Sequence, residues 1–442
     1  MFMNSEQISM VVVLMIIVAL WLPTIGYTET DDSVVYAELA QSFASGEGYY
    51  ANGEPHAHHL PLFPIIAAPL TYIASPMFAL RLASLLLGIF SLVAWFYLRK
   101  EIFPKEKGPY FLLLFLSPML VLFTFFRGLA ESPMILFSLL SVLFILRAER
   151  TSNKYYYYLS GISFGLAALS RYAGVVLGVV YILWFFTERK RYNKHFIASM
   201  AIGFFIFSLL LIENFLVFGN PIQFLSTFGE VTSSSLPLLF KMPLHFFIFL
   251  PAILIMSGIL LIPFVIKGIE RDKSLFIMLV VFGLLFASLG NLRFRYVVPI
   301  IPFVLILAYN GYTKIKGNWR HLIVLGILLN ILITPYFVSG EFKDFADNIY
   351  QTPTQWGQAG LRGQEANNWI NNNVPEGSII ATRHADIWSS YFRDDIKLVQ
   401  LGEDSDYIIY DQVLPDSDYY VPSGSEEVFS TSYPITTIYR IK

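Results

Sequence analysis

The feature that most constrains this chain is a series of apolar segments, each about as long as a bilayer's hydrocarbon core is thick. A helix needs roughly 20 apolar residues to cross, and about eleven segments reach that length. They lie near 8–26, 78–98, 109–126, 132–148, 156–170, 172–187, 195–217, 244–266, 274–290, 296–312 and 321–338. Composition agrees: 55% of the 442 residues are hydrophobic, 14% are charged, and the mean hydropathy is +0.58. A soluble domain of this length has no way to cover so much apolar surface, so the expectation is a polytopic all-α membrane protein. The short connections "RKEIFPKEKG", "RAERTSNK", "ERKRYNKH", "KGIERDK" and "KIKGNWRH" carry the excess of Lys and Arg. That excess assigns their side to the cytoplasm. The opening "MFMNSEQISMVVVLMIIVALWLP" lacks a basic leader and a small-residue cleavage site, so it reads as a retained first span with a cytoplasmic N-terminus.

With that orientation, the stretch "TETDDSVVYAELAQSF" at 28–43 falls outside, in a first loop (27–77) of about fifty residues, far longer than an ordinary connection. Within it, "DDSVVYAELAQSFASG" predicts a short helix. Asp or Ser caps it, Val35, Leu39 and Phe43 recur at helical spacing, and Gly46 ends it. "LPLFPIIAAPLTYIA" is apolar but interrupted by Pro61, Pro64 and Pro69, so it is expected to be interfacial or re-entrant rather than spanning. The division expected is therefore a membrane domain over 1–340 and, over 341–442, a small external α/β domain. There the composition turns polar and Asn-rich, and "GSIIAT", "IKLVQL" and "DYIIYD" alternate with turn residues as short strands do.

Ionisable groups at a membrane are costly, and each one marks a functional hypothesis. On the external face, Arg127 and Glu131 bracket "FRGLAESP", Arg171 sits in "LSRYAG", and Arg293 and Arg295 sit in "NLRFRYVVPIIP". A single arginine at a span end can simply snorkel to headgroups. Several on one face, beside Glu29, Asp31, Asp32 and Glu38, point instead to a shared anionic ligand, because guanidinium suits bidentate phosphate recognition. A helix cap needs one acid, and the pair Asp31 and Asp32 supplies two. A carboxylate beside lipid can serve as general base toward a hydroxyl. His56, His58 and His59 can be metal ligands, phosphate donors or loop histidines; their H-x-H-H spacing is irregular for a metal site. There is no cysteine, which removes disulfides, thiolate zinc sites and cysteine nucleophiles. The net charge of −2 offers no argument for nucleic acid.

These motifs, in this order and on this side, resemble the GT-C membrane glycosyltransferases, in particular the protein O-mannosyltransferase and aminoarabinose transferase group. The resemblance is carried by "DSVVYAELA" from Asp32, "HHLPLFP", the acidic turn "GLAESP", "GLAALSRYAGVVLG" and "RFRYVVPIIP". It spans nearly the whole membrane part. Two positions depart from the group's pattern: Ser33 stands where many relatives have a second acid, and Leu60 replaces the first proline of "PPL". By register from Tyr36, Asp32 rather than Asp31 matches the family's catalytic aspartate.

The resemblance implies a GT-C fold and inverting transfer of a sugar from a polyprenyl-phosphate carrier to a hydroxyl acceptor on a lipid, glycan or protein, at the external face of the cytoplasmic membrane. Asp32 would take the acceptor proton, with Asp31 as an auxiliary acid. Tyr36, His59, Arg127, Arg171, Arg293 and Arg295 would line the lipid-phosphate site. Glu131 would orient the acceptor, hold a basic partner, or join His58 around a divalent ion (Mg, Mn or Zn); no cofactor is certain. A secondary transporter or flippase for an anionic or lipid-linked substrate is the alternative. It would place its charges near mid-span in related halves. Here they gather at one face and no halves repeat.

Overall fold

The computed structural model describes residues 5–22, 31–51, 53–103, 114–116, 124–175, 177–179, 181–182, 194–223, 261–269, 280, 300–315, 321, 324–326, 328, 369–382, 395–400, 405–411, 425–430 and 436–441. The chain divides into two compact units, Met1–Leu22 with Tyr36–Thr334 and Pro23–Val35 with Pro335–Lys442.

The first unit is helical. Its elements are α1 (Ser5–Trp21), α2 (Asp31–Ser45, whose first residues belong to the second unit), a two-stranded hairpin β1 (Tyr50–Ala51) and β2 (Glu54–Pro55), α3 (Leu62–Thr71), α4 (Pro76–Ile102), α5 (Glu131–Thr151), α6 (Lys154–Ser170), α7 (Lys194–Phe218), α8 (Ile262–Ile269) and α9 (Ile301–Tyr312). Among the described residues, α4, α5 and α7 are long and apolar enough to cross a membrane. The spans expected at 78–98, 132–148, 156–170 and 195–217 fall on α4, α5, α6 and α7. Local chemistry sets their ends. Ser75 caps α4, its Oγ accepting from the Phe78 amide at 3.4 Å, and Pro76 occupies the first turn, where it forfeits no helix bond. The α5–α6 turn consists of Ser152, in the left-handed region at φ 54°, and Asn153, whose side chain accepts from the Tyr155 amide at 3.0 Å. A turn this short makes α5 and α6 antiparallel, so the start of α5 and the end of α6 lie at the same end of the bundle.

The segment "LPLFPIIAAPLTYIA" forms α3, only 10 residues long with Pro69 inside it. At 1.5 Å per residue it reaches about half of the hydrocarbon thickness. The expected span 172–187 begins differently. Arg171 is extended (φ −153°, ψ 147°), and Tyr172–Val175 is a 3-10 turn before helical residues resume at 177–179. The spans expected at 8–26 and 296–312 fall on α1 and α9, which are apolar but shorter; those at 109–126, 244–266, 274–290 and 321–338 lie largely outside the described residues.

Lipid offers no hydrophobic drive to bring helices together, so contact depends on close approach and on hydrogen bonds. Helices α6 and α7 meet through Gly161, which lies against the Ser199 backbone, and Gly203, which lies against the Phe164 ring. Helices α8 and α9 meet in the same way, Gly268 against Leu307 and Gly311 against Phe264. Between α5 and α6, the Ser141 hydroxyl donates to the Ser160 carbonyl at 2.9 Å and Ser160 returns a bond to the Ser141 carbonyl at 2.8 Å. At the other end of the hairpin, Arg150 donates to Glu101 at 3.2 Å, tying the α5–α6 turn to the end of α4.

The described part of the second unit contains a five-stranded mixed sheet of β3 (Ile379–Thr382), β4 (Lys397–Gln400), β5 (Tyr407–Asp411), β6 (Glu426–Ser430) and β7 (Thr436–Arg440), in the order β4-β3-β5-β7-β6. The strands anticipated in "GSIIAT", "IKLVQL" and "DYIIYD" are β3, β4 and β5, and both β3 pairings are parallel. Strands β6 and β7 had not been anticipated, because "EEVFS" and "TTIYR" carry too few apolar residues for a clear alternation. Ile380, Ile409 and Ile438 face one core together with Ile370 and Val374 of the preceding helical turn and its end. Ala381, Val399 and Ile408 form a second core on the opposite face, which is why these strands read as continuous apolar runs.

Candidate functional site

Helix α2 opens with Asp31 and Asp32 and buries Ser33, Tyr36, Ala37, Leu39 and Ala40 along one side; Asp32 is only partly covered. Gly46 ends it at φ +81°, a conformation that costs glycine no Cβ clash. The β1–β2 hairpin then returns the chain so that the His56 amide bonds the Tyr49 carbonyl at 3.1 Å.

From His56 to His59 the chain is a loop held by tyrosines from three directions. The Tyr49 hydroxyl donates to the His59 carbonyl at 2.9 Å, and the Tyr172 hydroxyl donates to the Ala57 carbonyl at 3.2 Å. The Tyr36 ring meets the His59 ring edge-on, centroids 4.7 Å apart. His56 Nε2 and His59 Nδ1 share a hydrogen bond at 2.7 Å with their rings nearly parallel, while the His58 ring stands perpendicular to that of His59. Burial, then the neighbouring imidazoles of His59 and His58, pull the His56 pKa down to about 3, so His56 is neutral at physiological pH. Burial of its hydroxyl end, with the nearby Tyr36, Tyr172 and Glu213, pushes Tyr49 well above 10, so it stays a donor.

The second cluster lies at the shared end of α5 and α6. "FRGLAESP" is a tight turn in which Gly128 adopts φ +66° with its α-carbon pressed toward Leu80, a place with no room for a side chain. The turn buries Arg127 and delivers Glu131 to the first position of α5, where the helix dipole favours an anion. Glu131 is 1% exposed, and its Oε1 accepts from Arg171 Nη1 at the end of α6. Its Oε2 is buried with no hydrogen-bond partner among the described residues. Tyr172, the next residue after Arg171, makes the bond to Ala57, so the ion pair and the histidine loop are neighbours.

The structure thus brings Tyr36, His58 and His59 into one cluster and Glu131 and Arg171 into another, linked through Tyr172 and Ala57. Glu131 is paired with a basic side chain, that of Arg171. Arg293 and Arg295 lie outside the described residues, as does the side chain of Asp31. Among the described residues no group of three or more His, Asp or Glu lies close enough to hold a metal ion; His58 falls in the histidine cluster and Glu131 in the ion pair. Sequence reasoning passed over Tyr49, Tyr172, Glu213 and Asn214. The last two had a readable signal, the polar pair "EN" inside the otherwise apolar 25-residue α7.

The fold has known counterparts. In overall fold the chain is similar to ArnT from Cupriavidus metallidurans, with TM-score 0.61 in the apo state over 89% of this chain and 86% of that one, at 14% identity. The same protein bound to undecaprenyl phosphate gives 0.58, also at 14% identity and over the same shares of the two chains. The oligosaccharyltransferase of Archaeoglobus fulgidus, in complex with Zn and sulfate, gives 0.57 over 91% of this chain and 68% of that one, at 13% identity. The chain has the GT-C fold. The family model of dolichyl-phosphate-mannose-protein mannosyltransferase matches residues 56–212, from the histidine loop to α7. GPI mannosyltransferase 3 of Candida albicans (strain SC5314 / ATCC MYA-2876) is 27% identical over 153 residues, 34% of this chain; the match spans 27% of that relative's length. The GT-C segment matched by the family model therefore contains both clusters described above, apart from Tyr36 and Tyr49.

Proposed function

We propose that this chain is an inverting glycosyltransferase that moves a sugar from a polyprenyl-phosphate donor to a hydroxyl acceptor at the external membrane face. The observation that carries the proposal is the position of the Arg171–Glu131 pair beside the histidine loop, inside the segment that matches the mannosyltransferase family model. A lipid-linked donor is supported by the ArnT fold relative that binds undecaprenyl phosphate. The external placement rests on the excess of Lys and Arg in the short connections; at the opposite end of the α5–α6 hairpin, Arg150 of one such connection meets Glu101 of another.

In this reading the Asp32 carboxylate takes the proton of the acceptor hydroxyl as that oxygen attacks the anomeric carbon from the face opposite the phosphate. The bond from the anomeric carbon to the phosphate oxygen breaks, its electron pair leaves with the polyprenyl phosphate, and the configuration inverts. Arg171, with Arg127, Arg293, Arg295 and His59, offsets the charge that develops on the leaving phosphate, and Tyr36 fixes the His59 ring. Glu131 holds Arg171 in its extended, inward position. The N-terminus is cytoplasmic, and residues 341–442 form an external domain. No step passes through a metal.

Asp32→Asn tests the base. It should abolish transfer from a polyprenyl-phosphate sugar while the protein remains folded and inserted; transfer at the wild-type rate would remove Asp32 from that role.

A further inference from the structure

Between the first loop and helices α6 and α7 lies a cavity of ≈ 250 Å³ to which the reaction above has assigned no ligand. Its walls are mostly apolar, from Phe43, Ile65 and Leu169, and its polar lining is confined to Tyr49, His56, His59, Glu213 and Asn214. Asn214 is 1% exposed, and its amide nitrogen has no hydrogen-bond partner among the described residues. A buried amide donor left in this condition is costly, and a bound acceptor atom would recover that cost. Next to it Glu213 supplies a carboxylate that can accept from hydroxyls. No Lys or Arg is present among the described lining residues, and a carboxylate is, so a phosphate would be repelled.

An apolar slot lined by a buried amide donor and, at its exposed margin, a carboxylate acceptor suits a ring that presents C–H faces to the walls and hydroxyls to the polar groups. We propose that this cavity is the acceptor subsite and that it takes a neutral hydroxyl-bearing ring, a sugar or cyclic polyol. The word acceptor rests on the glycosyltransferase reading; the ring chemistry rests on the cavity alone. His59 belongs to the lining and also to the cluster with Tyr36 and His58, so a ring held here lies beside the proposed phosphate site. Glu213 and Asn214 then decide which hydroxyl pattern is accepted, because a site built to bond a hydroxyl rejects an analogue lacking it.

Saturation-transfer NMR on the full chain in detergent tests the cavity, with methyl α-D-mannopyranoside, methyl β-D-glucopyranoside, myo-inositol and inorganic phosphate as probes. At least one ring probe should bind the wild type, phosphate should not displace it, and Asn214→Leu and Leu209→Trp should each weaken it at least tenfold. The second variant fills the cavity from an exposed lining position, so it decides alone if Asn214→Leu does not yield a monodisperse protein. Failure of all three ring probes on the wild type, displacement by phosphate, or wild-type affinity in a folded variant overturns the proposal. Turnover of polyprenyl-phosphate-linked mannose, glucose and aminoarabinose by the wild type, measured in parallel, separates the two readings. Ring binding without turnover supports the cavity and overturns the transferase. Turnover without ring binding overturns the cavity alone.

Discussion

Replacing Arg171 with alanine strands a carboxylate that is 1% exposed and has a second oxygen without a hydrogen-bond partner among the described residues. Removing one partner of a buried ion pair costs about 3–5 kcal/mol, because the remaining charge has neither water nor counter-ion. Arg171 retains 17% side-chain exposure, so water can partly fill the space it vacates and the lower end, about 3 kcal/mol, is expected. At roughly 2 °C per kcal/mol for a large chain, Arg171→Ala should melt about 6 °C below the wild type. Glu131→Gln in the same background removes the stranded charge while keeping the shape. The double variant should therefore recover a good part of the loss, a coupling energy of about 1.5 kcal/mol or more. Arg171→Lys keeps the charge but not the planar fork, and should lie between wild type and alanine. Thermal stability followed by size-exclusion fluorescence in detergent ranks all four proteins. An Arg171→Ala protein that melts within about 1 °C of wild type, or a double variant no more stable than the single one, would refute the buried-pair argument.

Other parts of the molecule lend themselves to the same kind of test. Gly203→Val places methyl groups where the Phe164 ring already sits and should force α6 and α7 apart, with a loss of about 1–3 kcal/mol visible as a lower melting temperature; Gly219→Ala, at a position with open space around it, tests strain at positive φ instead and should cost about 1 kcal/mol or less. Tyr49→Phe deletes the donor to the His59 carbonyl and should lower transfer activity with little change in melting temperature, read by activity and stability on the same sample. Arg295→Ala should raise the apparent KM for the polyprenyl-phosphate donor more than for the acceptor, and EDTA followed by Mg, Mn or Zn add-back will show whether His58 takes part in an ion site; activity unmoved by chelation would remove His58 from that role.

Much of the architecture was legible in the sequence because it depends on local pattern. Apolar length located α4 through α7, proline spacing kept α3 from being read as a span, and "DDSVVYAELAQSFASG" showed both ends of α2. The identity of the charged candidates was legible for the same reason, since a lone ion stands out against an apolar background. Their partners were not. Glu131 meets Arg171 across 40 residues and Tyr172 meets Ala57 across 115, separations that no periodicity encodes.

What the sequence determined by itself is the medium in which this chain folds, the end of the bundle where its ions gather, and the residue types available there. The free energy of placing each segment in lipid or water is set by composition and nearly independent of its neighbours. Only the tertiary structure decided that Glu131 pairs with Arg171, that His56 and His59 stack under three tyrosines, and that Asn214 borders an apolar cavity with no partner for its amide nitrogen among the described residues. Those facts arise from the packing of helices distant in the chain, where a hydrogen bond forms or fails on a shift of about 1 Å.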